Sequence, residues 1–90
     1  MLVEQLINSN QFKVFLKNGV VFQSYDSLIA LKMDNGCILV SPLWNCSKTT
    51  LKHLKIFLNI TLSSKEIAKL IKDGIYTVVS EEELLKEATK

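Results

Sequence analysis

The sequence predicts a small α+β domain: an antiparallel sheet of two hairpins plus a fifth short strand, packed against two or three amphipathic helices. Three observations carry that expectation. Period-two alternation flanks two Asn-Gly pairs, Asn18-Gly19 and Asn35-Gly36. After Ser47 the apolar spacing changes to three and four. Finally, 90 residues, 48% of them hydrophobic, furnish one core but would starve two. With three Gly and one Pro, no stretch reads as a linker. Residues 1–90 therefore form one domain, sheet-rich over 11–41, helical over 47–73, and completed by a strand and terminal helix over 75–89.

The first seven residues are ambiguous; Leu2, Val3, Leu6 and Ile7 fit a short helical face that needs a support to pack on. Phe12, Val14 and Leu16 then alternate with Lys13, Phe15 and Lys17 up to Asn18-Gly19, and the alternation resumes over 20–25. A type I′ turn is expected there, because both of its central residues need positive φ and Asn-Gly tolerates it best. Residues 28–33 and 37–41 form a second hairpin across Asp34-Asn35-Gly36, ended by Pro42, which has no N–H for a ladder. Leu51, Leu54, Phe57 and Leu58 define a helix from about Lys48, with Ser47 as N-cap. Ser63 and Glu66 spell a capping box for the next helix, whose apolar face is Ile67, Leu70 and Ile71 and whose stop is Asp73-Gly74. The β-branched stretch 75–79 reads as the fifth strand. Ser80 and Glu83 repeat the box, and the acids Glu81 to Glu83 suit the positive end of a terminal helix.

Net charge is +2, from 11 lysines and no arginine against nine acids. Lacking the guanidinium fork, the chain is poorly equipped to read bases. The charge is polarised: over 47–73 six lysines face only Glu66 and Asp73, giving +4, while elsewhere five lysines meet seven acids, giving −2. Lys48, Lys52 and Lys55 stand at i, i+4 and i+7, and Lys65, Lys69 and Lys72 repeat the spacing. Each set is a stripe, either an ordinary solvated helix face or a surface for a phosphate backbone or an acidic protein. No apolar run nears the roughly 20 residues of a spanning helix. Glu4 replaces the basic start of a secretory signal, so the expected location is the cytoplasm, with no membrane partner.

No residue set assembles a recognisable catalytic or metal site, and the expectation is a protein that is not an enzyme and needs no cofactor. Cys37 and Cys46, nine positions apart, fit neither a zinc motif nor a redox C-x-x-C and read as reduced, half-buried thiols. Ser47, Thr49 and Thr50 gather at a helix start beside Lys48, where free N–H groups can hold an anion, yet capping by Ser47 uses the same groups. His53, the single histidine, has no second ligand at metal spacing and no acid to orient a Cys46–His53 pair. It is expected at the edge of the apolar face, bonded to a neighbouring element. Tyr25 and Trp44 are expected to anchor the sheet to the helix through rings with polar handles.

Two segments carry a resemblance: Ser24-Tyr25-Asp26-Ser27-Leu28-Ile29-Ala30 and, after the second hairpin, the stretch from Trp44 through Ser47, Thr49, Thr50, Lys52 and His53 to Phe57-Leu58. Over about 24–58 the chain resembles a family of small proteins from phages and mobile elements of low-GC bacteria, with a pattern S-Y-x-[ST]-x-I-A, a hairpin, then W-x-Y-S-x-T-T-x-[KR]-H-x-x-x-F-L. Cys46 departs from it where an aromatic is usual. The resemblance implies that Tyr25, Trp44, Ser47, Thr49, Thr50, Lys52 and His53 are the characteristic polar and aromatic set. It also implies an accessory protein acting by protein–protein binding on a bacterial host protein or complex, of which an inhibitor of a CRISPR-type defence complex is one kind. The alternative is a nucleic-acid or phosphate-binding module using the lysine stripes, and self-association is compatible with either.

Overall fold

In the computed structural model, which describes residues 2–5 and 10–90, the alternating segments form a meander of five antiparallel strands. These are β1 (Leu2–Gln5), β2 (Gln11–Leu16), β3 (Gly19–Ser24), β4 (Ser27–Met33) and β5 (Ile38–Val40). The chain then passes through α1 (Lys48–Leu58) and α2 (Ser64–Lys72) before β6 (Tyr76–Val78) joins the sheet beside β5, and α3 (Glu81–Thr89) follows. The strand order is β1-β2-β3-β4-β5-β6. The β5–β6 pair is parallel, with Ile38 opposite Tyr76 and Val40 opposite Val78. A parallel neighbour needs a long crossover, which α1 and α2 supply. The fold is α+β, as expected.

Two expectations are corrected. First, residues 2–5 form an edge strand instead of a helical face: Val3 pairs with Val14 and Leu2 with Phe15. So short a segment gains more from a ladder than from an unsupported helix; Leu6 and Ile7 lie outside the described residues. Second, the first hairpin turns at Lys17-Asn18, because Leu16 pairs with Gly19, and neither Asn18 nor Gly19 has positive φ. Asn18 serves α3 instead. Its backbone N–H donates to the Ala88 carbonyl at 2.9 Å and its side chain to the Glu87 and Lys90 carbonyls at 2.9 and 3.2 Å, satisfying a helix end that has no further turn to bond.

The helices pack on both sides of the sheet. α1 and α2 bury Leu54, Phe57, Leu58 and Ile67 against Phe22, Ile29, Ala30 and Val40. α3 buries Leu84 and Ala88 against Val21 and Leu31 on the other face. Alternation along β3 sends Phe22 one way and Val21 the other, so both faces of the central strands are apolar. Phe22 pairs with Ala30 and Gln23 with Leu28, leaving Ile29 as the extra residue of a bulge. That lets consecutive Ile29 and Ala30 both enter the α1–α2 core.

The caps follow the sequence. Ser47, Ser63 and Ser80 accept the N–H groups of Thr50, Glu66 and Glu83, and the Ser63–Glu66 box is complete. Gly74, at φ 79, closes α2 with Gly74 N–H to Ile71 O and Ile75 N–H to Leu70 O, the paired bonds of a Schellman motif. Asn59, at φ 57, closes α1 in the same way.

Candidate functional site

Most of the characteristic residues gather where the end of β3 meets the start of α1. Ser24, the last residue of β3, bonds Thr50 in the first turn of α1, Oγ to Oγ1 at 3.4 Å. Thr50 Oγ1 also accepts from the Ser47 hydroxyl at 3.0 Å and the Cys46 thiol at 3.6 Å. With both lone-pair positions taken, its own hydrogen goes to Ser24. Ser47 Oγ is likewise committed, accepting the Thr50 N–H at 3.0 Å while donating to Thr50 Oγ1. The helix start expected as an anion site therefore spends its Ser47 and Thr50 hydroxyls internally, and both Ser24 and Thr50 are buried.

His53 is buried, and its Nδ1 lies 2.8 Å from the Thr49 carbonyl one turn back in its own helix. A carbonyl only accepts, so Nδ1 carries a hydrogen. The bond expected to a neighbouring element is thus corrected to an intrahelical one. Cys46 bonds Thr50 and His53 bonds Thr49, so no bond joins the pair considered as a dyad. Cys37 and Cys46 are free, as read, but exposed and not half-buried. Among the described residues no three His, Cys, Asp or Glu side chains are grouped to hold a metal.

Trp44 packs against the α1–α2 core. Tyr25 does not: at 56% exposed in the β3–β4 turn, its ring is no anchor. What the turn uses is its backbone, at φ 55, with the N–H donating to Asn10 O at 2.7 Å and the carbonyl accepting from Gln23 Nε2 at 2.8 Å. A left-handed backbone is uncommon for so bulky a residue. Thr49 is exposed at the helix start, with only its carbonyl engaged, by His53.

Gln11 is the residue that sequence reasoning missed. It pairs with Ser24 across β2 and β3 and is fully buried, yet among the described residues neither its amide nitrogen nor its amide oxygen has a hydrogen-bond partner. An unpaired buried amide costs about 1–3 kcal/mol. Gln11→Leu, which keeps the volume and removes both orphan atoms, is expected to raise the denaturation midpoint; a lowered midpoint would mean that the amide has a partner in solution. Only its place at the head of a half-buried strand hinted at this.

The lysine stripes are where the spacing puts them. Lys48, Lys52, Lys65, Lys69 and Lys72 are exposed and Lys55 is partly buried, on two helices whose apolar sides turn to the same face of the sheet. Among the described residues the only ion pair is Lys90–Glu87 at 3.2 Å, so none of these lysines is in an ion pair there. No helix among them is long and apolar enough to cross a membrane.

These features define a small mixed α+β domain with a buried hydroxyl-bonded junction inside and a cationic helical layer outside. The chain belongs to a family of unknown function (DUF8033), whose sequence profile matches residues 2–77. No curated protein and no solved structure matches it.

Proposed function

We propose that the chain is a non-catalytic recognition domain of phages or mobile elements, working in the bacterial cytoplasm by docking its α1–α2 layer on an acidic surface of a host protein. Inhibition of a CRISPR-type defence complex is the kind of activity that fits. One observation carries the reading: five exposed, unpaired lysines stand on one helical layer while the acids of α3, Glu81, Glu82, Glu83 and Glu87, sit on the opposite face of the sheet. Such polarity orients a charged partner and speeds its association. A protein is favoured over nucleic acid because the chain has no arginine, and Phe57 and His53, the rings on these helices, are buried and cannot stack bases. The resemblance over residues 24–58 supports the mobile-element origin.

The test reverses Lys48, Lys52, Lys65 and Lys69 together to Glu. Immobilised wild type is expected to retain a host protein that the reversed variant loses, and to ignore single-stranded and duplex oligonucleotides at low and high salt. Oligonucleotide binding that weakens steeply with salt and vanishes in the variant would replace this reading with a nucleic-acid module.

A further inference from the structure

α3 covers only part of its face of the sheet. It lies over β3 and β4, whereas two helices pack on the opposite face. The part that no described residue covers is a groove of about 420 Å3, floored by Val3 of β1 with Phe12, Val14 and Leu16 of β2, and walled by Leu85 of α3. Val3 pairs with Val14, and Phe12 and Leu16 lie two positions either side, so all four point the same way. Val3 is 50% and Leu85 47% exposed. An apolar row beside a helix of the same layer is shaped for one more helix, and the apolar sides of α1 and α2 are already used on the other face.

Charge narrows what that helix is. On α3 the neighbours of Leu85 along its flank are three and four positions away, at Glu81, Glu82, Ala88 and Thr89. The wall is therefore acidic toward the start of α3 and uncharged toward its end, and among the described residues no charged one lines the groove itself. Glu82 is exposed and in no ion pair. We propose that the groove seats an amphipathic helix of a partner protein, antiparallel to α3, with its apolar face on Val3, Phe12 and Val14 and with Lys or Arg in its last turn against Glu81 and Glu82. The direction follows because basic residues favour a helix's C-terminal turn, and this turn must lie beside the start of α3. This is helix-in-groove recognition on the face opposite the lysine layer, so either surface can fail without the other.

The experiment uses the full chain and two labelled peptides of about 18 residues, long enough to be helical, that share one apolar stripe and carry either two Lys or two Glu in the last turn. The Lys peptide is expected to bind about tenfold more tightly than the Glu peptide. It should shift the amide resonances of Val14 and Leu85 while leaving those of Lys52 and Lys69 in place. Glu82→Lys is expected to reverse the preference between peptides. Leu85→Asp should weaken both without lowering Tm, since Leu85 is half exposed. Equal binding of the two peptides, no binding, or shifts confined to α1 and α2 would overturn the proposal. A dimer of the chain in sedimentation that Leu85→Asp dissociates would also overturn it, by assigning the groove to a second copy.

Discussion

Gly19→Ala is expected to destabilise the fold by about 3 kcal/mol, at the upper end of the usual cost of overpacking a core. For a domain of this size that corresponds to a fall in Tm of roughly 12–24 °C. Conformational freedom is not the reason, since Gly19 has no positive φ. It is a β3 residue paired with Leu16 on one side and Met33 on the other, and a Cβ placed on it would lie 2.4 Å from the Lys32 carbonyl oxygen and 2.8 Å from the Met33 Cα. Both are backbone atoms, so no side chain can swing away; β3 and β4 must separate. The strain falls where Asp34 N–H bonds the Asn18 carbonyl at 2.9 Å and Asn18 in turn holds the end of α3. Gly36→Ala is the control: open space surrounds a Cβ there, and the cost is only that of φ 95, about 1 kcal/mol. A melting temperature for Gly19→Ala within 2 °C or so of wild type would show that the strands yield at little cost, contrary to this geometry.

What could be read from the sequence was local. Ser47, Ser63 and Ser80 were legible as caps because each bonds an N–H only three residues on. The alternation of Phe12, Val14 and Leu16 with Lys13 and Lys17 announced a strand because its period belongs to the backbone. What escaped depends on neighbours distant in the chain. Asn18-Gly19 was recognised as a hairpin signal for the wrong reason: Asn18 is needed by α3, some seventy residues away, and Gly19 by the backbone of β4. An apolar stripe on α3 cannot say which face of the sheet it will meet, and the sequence of β6 does not encode that its partner runs parallel. At the junction, Ser47, Thr49, Thr50 and His53 were legible as a cluster on one helix start. Ser24 and Gln11 come from the facing strands, and their part depends on strand register, which no local pattern states.

Phe22→Ala is expected to cost about 3–5 kcal/mol, the range for removing a large ring from a core that cannot collapse. Phe22 is fully buried at the middle of β3, opposite Ala30 on β4, and its ring stacks on Phe57 of α1 with centroids 5.6 Å apart. Ile29, Ala30 and Leu54 belong to the same buried cluster, and β-sheet backbone holds one side of the space, so the vacated volume stays largely empty. Because a domain of this length holds about 5–13 kcal/mol in all, the variant should be folded at room temperature yet marginal. The loss is also directional. α1 meets β3 through Phe22 and, two residues on, through the Ser24–Thr50 bond, whereas α3 rests on Val21 and Leu31 on the other face. Amide exchange in the variant should therefore accelerate first in α1, by more than in α3. Uniform acceleration of all three helices would show that the two faces of the sheet unfold as one unit. A denaturant midpoint close to that of wild type would mean that α1 can settle into the space, and that the Phe22–Phe57 stack does not hold the lysine-bearing layer in place.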